Sequence, residues 1–365
     1  MSYAREQSKC SCATLLAAVV GRTGFGVLRE PLAVLLRSKL MSVALGLDVG
    51  ATKILALAVD GDGDVINEFR LRSSNSSRRL LDALEGATAT LVESLGTRSE
   101  EVVGIGVGVP GLLDGHGVLN EVTNLPAVSG LPMTAELTRR LGHVFEHRER
   151  FRLVVDNDGM CSAAGEIAFG AARGLSDAIV ITLGTGIGGG IIAGGKLLRG
   201  GRGFAGEVGH FVVDVEGPSC GCGRRGCWEQ YVSGQGHTRL ARDAALVGKA
   251  TRIVELAGGR ADAIRSEHIF EAARAGDREA WVLVETIARY LALGIANLVE
   301  VLDPLAVILG GGIIRDGDLF MPLTKKHFEQ TRRGSGERAV ALRCAELGDQ
   351  SGAIGAAALA LGLVV

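Results

Sequence analysis

From residue 43 onward, short apolar runs alternate with glycine-rich breaks. The run 43–47 reads as a β-strand entering Asp48-Val49-Gly50-Ala51-Thr52-Lys53, and 54–59 reads as its partner, broken at Asp60-Gly61-Asp62-Gly63-Asp64. Leu80, Leu84, Leu91 and Leu95 share one side of a helix predicted over 79–95, with Gly96 as its stop. A strand over 102–109 runs into Pro110-Gly111, and another over 151–155 leads to Asp156-Asn157-Asp158 and a helix reaching about 169. The opening pattern then returns as strand 178–183, a turn from Gly184 to Gly190, and strand 191–193. A long helix is predicted over 277–301, and a strand over 306–309 closes at Gly310-Gly311-Gly312. Alternating strands and helices predict the α/β class. The strand–turn–strand unit near residue 50 and again near 185 predicts two related lobes, each presenting a phosphate-sized turn to a cleft.

Residues 1–40 lack this pattern until about residue 32 and are expected to be a dispensable extension, with Met41 directly before the first strand. A DNA-binding winged helix would show a helix–turn–helix pattern there, and none is evident. Lys+Arg number 39 against Asp+Glu 41, a net charge of -2, which argues against a nucleic-acid partner. No run of about 18 apolar residues occurs, so no membrane partner is expected. Glycine is the outlier at 54 residues, with neither a collagen period nor low complexity, as expected of tight turns and close backbone approaches. The cysteines number 7, an odd count with three crowded into 220–227, which reads as a metal site plus scattered thiols in a reducing compartment.

Several patterns carry candidate chemistry. In the first turn Gly50 lets backbone N–H groups approach an anion, Thr52 and Lys53 can donate, and Asp48 could hold Mg²⁺; a plain polar hairpin is the alternative. The second turn has Gly184, Thr185, Gly186 and Gly188 among its small residues and is neither a Walker loop nor a Rossmann turn. Asp60, Asp62 and Asp64 lack the glycine and late glutamate of a calcium loop, so a hairpin tip is expected. His210 with Cys220, Cys222 and Cys227 fits a closed tetrahedral zinc site of structural type.

Asp48-Val49-Gly50-Ala51-Thr52-Lys53, Asn157-Asp158, Gly206-Glu207-Val208-Gly209-His210 and Cys220-x-Cys222-Gly-x-x-Gly-Cys227-x-Glu229 occur in this order. Together they resemble the ROK family (repressor, open reading frame, kinase), and within it the bacterial ATP-dependent sugar kinases. The resemblance covers about residue 43 to the last residue. It implies a two-lobed actin-like fold of the ribonuclease-H type, shared with sugar kinases, Hsp70 and actin, with a structural zinc loop over 210–229. The lobes would span 41–156 and 157–350, with a closing helix of about 351–365 packing back on the first.

The activity implied is transfer of the γ-phosphoryl group of ATP to O6 of a hexose, D-glucose first, in a cytoplasmic homo-oligomer using Mg²⁺ with ATP and structural Zn²⁺. By the same resemblance Asp158 is the base on the sugar 6-hydroxyl, with Asp156 its rival. Gly111, Asn157, Glu207, His210 and Glu229 surround the sugar, His210 also serving the zinc. Asp48, Gly50, Thr52, Lys53, Gly184, Thr185, Gly186 and Gly188 face the phosphates, and Gly310, Gly311 and Gly312 the adenosine. Asp158 can also be read as the N-cap of its helix.

Two departures bear on the sugar: Ala127 and Val128 stand where a tryptophan often follows Asn124-Leu125-Pro126, and Gly159-Met160 replaces the more usual Ala-Asn. N-acetylmannosamine, N-acetylglucosamine, mannose and fructose are alternative acceptors. A sugar-sensing repressor is the alternative class. A zinc hydrolase would need an open metal position that three cysteines and a histidine do not leave.

Overall fold

The computed structural model describes residues 42–365 apart from 123, 143–144, 146–150 and 334–338; the expected extension lies outside the described residues. β1 (Val43–Val49), β2 (Lys53–Asp60) and β3 (Val65–Arg72) form an antiparallel meander, followed by α1 (Ser77–Leu95) and β4 (Val102–Val109). After the small hairpin β5 (Leu112–Leu113) and β6 (Leu119–Glu121) come α2 (Met133–Leu141) and β7 (Arg152–Asn157). β4 and β7 add in parallel beyond β1, so the sheet order is β3-β2-β1-β4-β7.

The second half repeats the design. α3 (Asp158–Phe169) precedes β8 (Ala178–Leu183), β9 (Ile187–Ala193) and β10 (Lys196–Leu197). The helices α4 (Glu229–Val232), α5 (Gly234–Leu246), α6 (Thr251–Leu256), α7 (Ser266–Arg274) and α8 (Arg278–Leu302) lead to β11 (Ala306–Gly310). α9 (Gly317–Thr331), β12 (Ala341–Cys344) and α10 (Ser351–Ala360) complete the chain, and the second sheet runs β10-β9-β8-β11-β12. Three antiparallel strands extended by two parallel ones, twice over, is the duplicated α/β fold expected.

The central strands β1 and β8 are apolar apart from Asp48 and Thr182 near their ends, because both faces are covered. Val43, Leu45 and Leu47 of β1 join the cluster under α1, whereas Ala44 joins Leu55, Leu57 and Ala353 under α10. α10 lies so close that a Cβ at Gly46 would overlap the carbonyl of Ala353, and one at Gly106 the carbonyl of Ala356. Gly355 makes the same approach to the carbonyl of Cys161 in α3, and Gly190 of β9 lies against the methyl group of Ala163. The small residues of α10 and α3 thus let two helices fill the space between the sheets at backbone contact distance.

α8 is long and apolar enough to cross a membrane by length and composition alone. Its apolar side instead faces the core cluster of the second sheet, and Gly294 seats the ring of Trp228, whose Nε1 donates to the carbonyl of Tyr290 at 2.7 Å. At the β2–β3 tip, Asp60 Oδ1 accepts from the backbone of Asp62 (3.1 Å) and Asp64 (3.0 Å), the hairpin tip expected.

One element differs from the sequence reading. The turn expected over 184–190 is only 184–186, because Leu183 pairs with Ile187 and Thr182 with Gly188 in the β8–β9 ladder. Glycines 188–190 are strand residues; the missing side chain of Gly190 admits Ala163 of α3, and that of Gly189 admits Val208.

Candidate active site

β7 ends at Asn157 and α3 begins at Asp158, so the turn between them stands at the edge of the first sheet. Asn157, not Asp158, caps the helix: its Oδ1 accepts from Gly159 N–H (2.8 Å) and Met160 N–H (3.2 Å). The reason is positional, since Asn157 holds the extended backbone of an N-cap while Asp158 is already the first helical residue. The amide of Asn157 also donates to the carbonyl of Gly111 at 3.0 Å, so only one of its N–H groups remains for a ligand. Asp158 keeps its carboxylate in the cleft, where it accepts from Gly159 N–H at 2.8 Å. Burial pushes its pKa up to about 6. Asp156 is turned elsewhere: its two oxygens accept from Asn157 N–H (2.9 Å) and Arg199 Nη1 (2.5 Å).

The cleft has a volume of about 390 Å³. Gly111, Asn157, Asp158, Glu207, His210 and Glu229 line it together with Gly50, Gly184, Thr185, Gly186, Gly188 and Gly311. Glu207 opens the 3-10 turn Val208–His210, and burial, with Asp158, Glu229 and Glu121 nearby, pushes its carboxyl up to about 7. Glu229, the first residue of α4, has its Oε2 anchored by Ile187 N–H at 3.0 Å. Met160 occupies no part of this cleft wall; it is buried under Gly190 and Gly206 and supports the loop that carries Glu207.

Asp48, Thr52, Lys53 and Gly310 do not line the cleft. Asp48 lies behind it, against Gly352 at the start of α10, and burial together with Asp158 pushes it up to about 7 while Lys53 pulls the other way. The turn is closed by Gly50 N–H donating to the Lys53 carbonyl at 2.8 Å, leaving Thr52 and Lys53 exposed. Gly310 is buried in β11 beside Ala345, whereas Gly311, at φ +88, crosses against the backbone of Leu183, where no side chain fits.

A second cavity of about 790 Å³ adjoins the first and shares Gly184, Thr185 and Gln235 with it. Gly312 lies here, with Ile264, Ile313 and Ser266, and with the arginines 239, 242, 265 and 315. The N-terminus of α5 docks on the glycine turn through Gly234 N–H to the Gly184 carbonyl (2.8 Å) and Gln235 N–H to that of Thr185 (3.3 Å). These bonds and Gly236 N–H donating to Ser233 Oγ at 3.1 Å occupy the first N–H groups of α5, so the helix end braces the glycine turn at the junction of the two cavities. The arginine wall escaped the sequence reading, because no local motif joins residues so far apart along the chain.

His210, Cys220, Cys222 and Cys227 bring their donor atoms within 4.8 Å of one another. Cys220 Sγ lies 3.6 Å from His210 Nδ1, and Cys222 Sγ 3.6 Å from Cys227 Sγ. Tetrahedral zinc with bonds of about 2.3 Å sets ligand atoms about 3.8 Å apart, so donor chemistry and spacing both fit that ion. Burial and the neighbouring thiols push Cys227 up to about 12. With Nδ1 toward the sulfurs, the ring of His210 also forms part of the cleft wall.

The ROK family pattern matches residues 44–362. Over 326 residues, 88% of this chain and 98% of the relative, the chain is 36% identical to a glucokinase of Streptomyces coelicolor. Over 286 residues, 77% of this chain and 86% of the relative, it is 35% identical to a glucokinase of Thermotoga maritima. A ROK family glucokinase from Streptomyces griseus, solved in complex with glucose and AMPPNP, is 36% identical with a TM-score of 0.74, covering 87% of this chain and 99% of that one. Fold, ordered motifs and a match along nearly all of the described residues agree: this chain belongs to the ROK family.

Proposed function

We propose that this chain is an ATP-dependent glucokinase, transferring the γ-phosphoryl group of ATP to O6 of D-glucose. One observation carries the reading: a half-buried carboxylate, Asp158, shares a single cleft with Glu207, His210, Glu229 and two glycine turns. The relatives named glucokinase, and the one solved with glucose and AMPPNP, support the same assignment.

Glu207, Glu229 and His210 hydrogen-bond the sugar hydroxyls and set the 6-hydroxyl against Asp158. Phosphoryl transfer depends mostly on positioning and charge stabilisation, with one carboxylate taking the proton of the attacking hydroxyl. A carboxyl raised to about 6 is ionised at neutral pH yet more basic than an ordinary aspartate, which suits that task. As O6 bonds to phosphorus, the bond to the leaving ADP oxygen breaks and the proton passes to Asp158. The glycine turns at Gly50-Ala51 and Gly184–Gly186, which line the cleft, face the phosphates, and the larger cavity takes the nucleoside.

Mg²⁺ entering with ATP would be held through water by Asp48, a hard oxygen donor set behind the cleft, and would neutralise phosphate charge. Zinc on the Cys₃His cluster would fix the pocket wall at His210. A reaction that consumes ATP and a chain with this zinc-thiolate cluster point to the cytoplasm. The test is the initial rate of ADP formation across glucose, mannose, fructose, N-acetylglucosamine and N-acetylmannosamine. Glucose should give the highest kcat/KM; a higher value for an N-acetylated sugar would overturn the acceptor, and no sugar-dependent ADP the activity.

A further inference from the structure

Asp156 stands two residues before the proposed base, is only 6% exposed, and has no part in the chemistry above. Its partners join two segments distant in sequence. Oδ1 accepts from Asn157 N–H at 2.9 Å, bracing the base turn from within, and Oδ2 accepts from Arg199 Nη1 at 2.5 Å. Arg199 opens the loop that delivers Glu207: its carbonyl accepts from Ala205 N–H at 3.1 Å, closing 199–205 on itself immediately before Gly206 and Glu207. The same loop meets the first lobe again at Gly203, where a Cβ would stand 3.2 Å from the carbonyl oxygen of Leu113. At its far end Gly206 rests on Met160 of α3.

An ion pair with one partner open to solvent is a weak source of stability, because water screens much of its attraction. Its geometric effect is specific, however. A charged hydrogen bond at this place fixes the distance between the turn bearing Asp158 and the loop bearing Glu207. Both carboxylates line the one cleft proposed to take the sugar. We propose that Asp156 and Arg199 are positioning residues of the glucokinase reaction, forming a tether that holds the base turn and the sugar loop in register; this rests on the glucokinase reading.

The experiment compares wild type, Arg199→Ala, Arg199→Lys, Asp156→Asn and the Arg199→Ala/Asp156→Asn double variant in steady-state kinetics. Arg199→Ala should lower kcat/KM for glucose about 10- to 100-fold, the scale of a small misplacement of reacting groups, and change KM for ATP less than about twofold. Arg199→Lys, which keeps the charge, should recover part of the loss. The double variant should lose no more than the worse single variant, since both cut one link. Arg199 is partly exposed, with 42% of its side chain open, so its variants should fold. Unchanged kcat/KM in Arg199→Ala, multiplied losses in the double variant, or equal losses toward glucose and ATP with a lowered melting temperature would each overturn the tether. A wild type inactive on glucose would instead remove the reading beneath it, and the tether with it.

Discussion

Glu229 accepts a hydrogen bond from the backbone N–H of Ile187 at 3.0 Å. The residue two places beyond the last cysteine of the metal cluster is thereby fixed to the strand that leaves the glycine turn. The Cys/His cluster, the Glu229 carboxylate and the glycine turn are thereby linked.

That connection gives the first prediction. Cys222→Ser should lower zinc content and melting temperature together, because formation of a metal site is coupled to folding. It should also raise KM for glucose, since Glu229 and His210 lose their support. Metal analysis of the purified wild type should find about one zinc per chain. Metal-free protein with full activity and an unchanged melting temperature would refute the assignment.

The raised carboxyl of Asp158 predicts both a rate profile and a stability profile. For the rate, kcat/KM should fall about tenfold per pH unit below about 6, as the base becomes protonated. For stability the sign is opposite to that of an ordinary salt-bridged aspartate. The folded carboxyl holds its proton up to about 6, against an ordinary value of 3.8, so the folded state binds more protons between those values. This group's contribution therefore turns increasingly unfavourable as pH rises through that window. Asp158→Asn should melt higher than wild type at about pH 7, with the gap closing toward about pH 4. A lower melting temperature for the variant at neutral pH would contradict the burial argument.

Two glycines should respond in opposite directions to the same substitution. Gly106→Ala forces a methyl group into the backbone carbonyl of Ala356 in α10, where neither strand nor helix can yield cheaply. It should cost at least about 2 kcal/mol of stability. Gly86 is an exposed position within α1, where an added methyl group would meet nothing within 4 Å. Gly86→Ala should add up to about 1 kcal/mol through helix propensity. Chemical denaturation of both variants checks the pair, and a tolerated Gly106→Ala would deny the close packing of α10 on the first sheet.

What the sequence made legible follows from where each signal resides. The strands around residues 50 and 185, the metal cluster and the Asn157-Asp158 turn announce themselves in short contiguous patterns, because their residues are neighbours in the chain. The extent of the second turn is not legible in the same way, since Gly188, Gly189 and Gly190 look like turn residues until the ladder with β8 claims them. Capping by Asn157 rather than Asp158 depends on a one-residue difference in where helical backbone starts. The Asp156–Arg199 pair and the arginines around the larger cavity come from segments joined only by the tertiary fold, where no spacing rule applies.

The central claim is that Asp158 deprotonates O6 of glucose as the γ-phosphoryl group arrives. Its most direct test is glucose-6-phosphate formation by wild type and Asp158→Asn under saturating glucose and ATP, with glucose binding measured separately by calorimetry. Wild type should form glucose-6-phosphate stoichiometrically with ADP, and the variant should bind glucose with similar affinity while kcat drops by at least about 10²-fold, the scale of a lost general base. A variant that binds glucose and still turns over at nearly the wild-type rate would contradict the account.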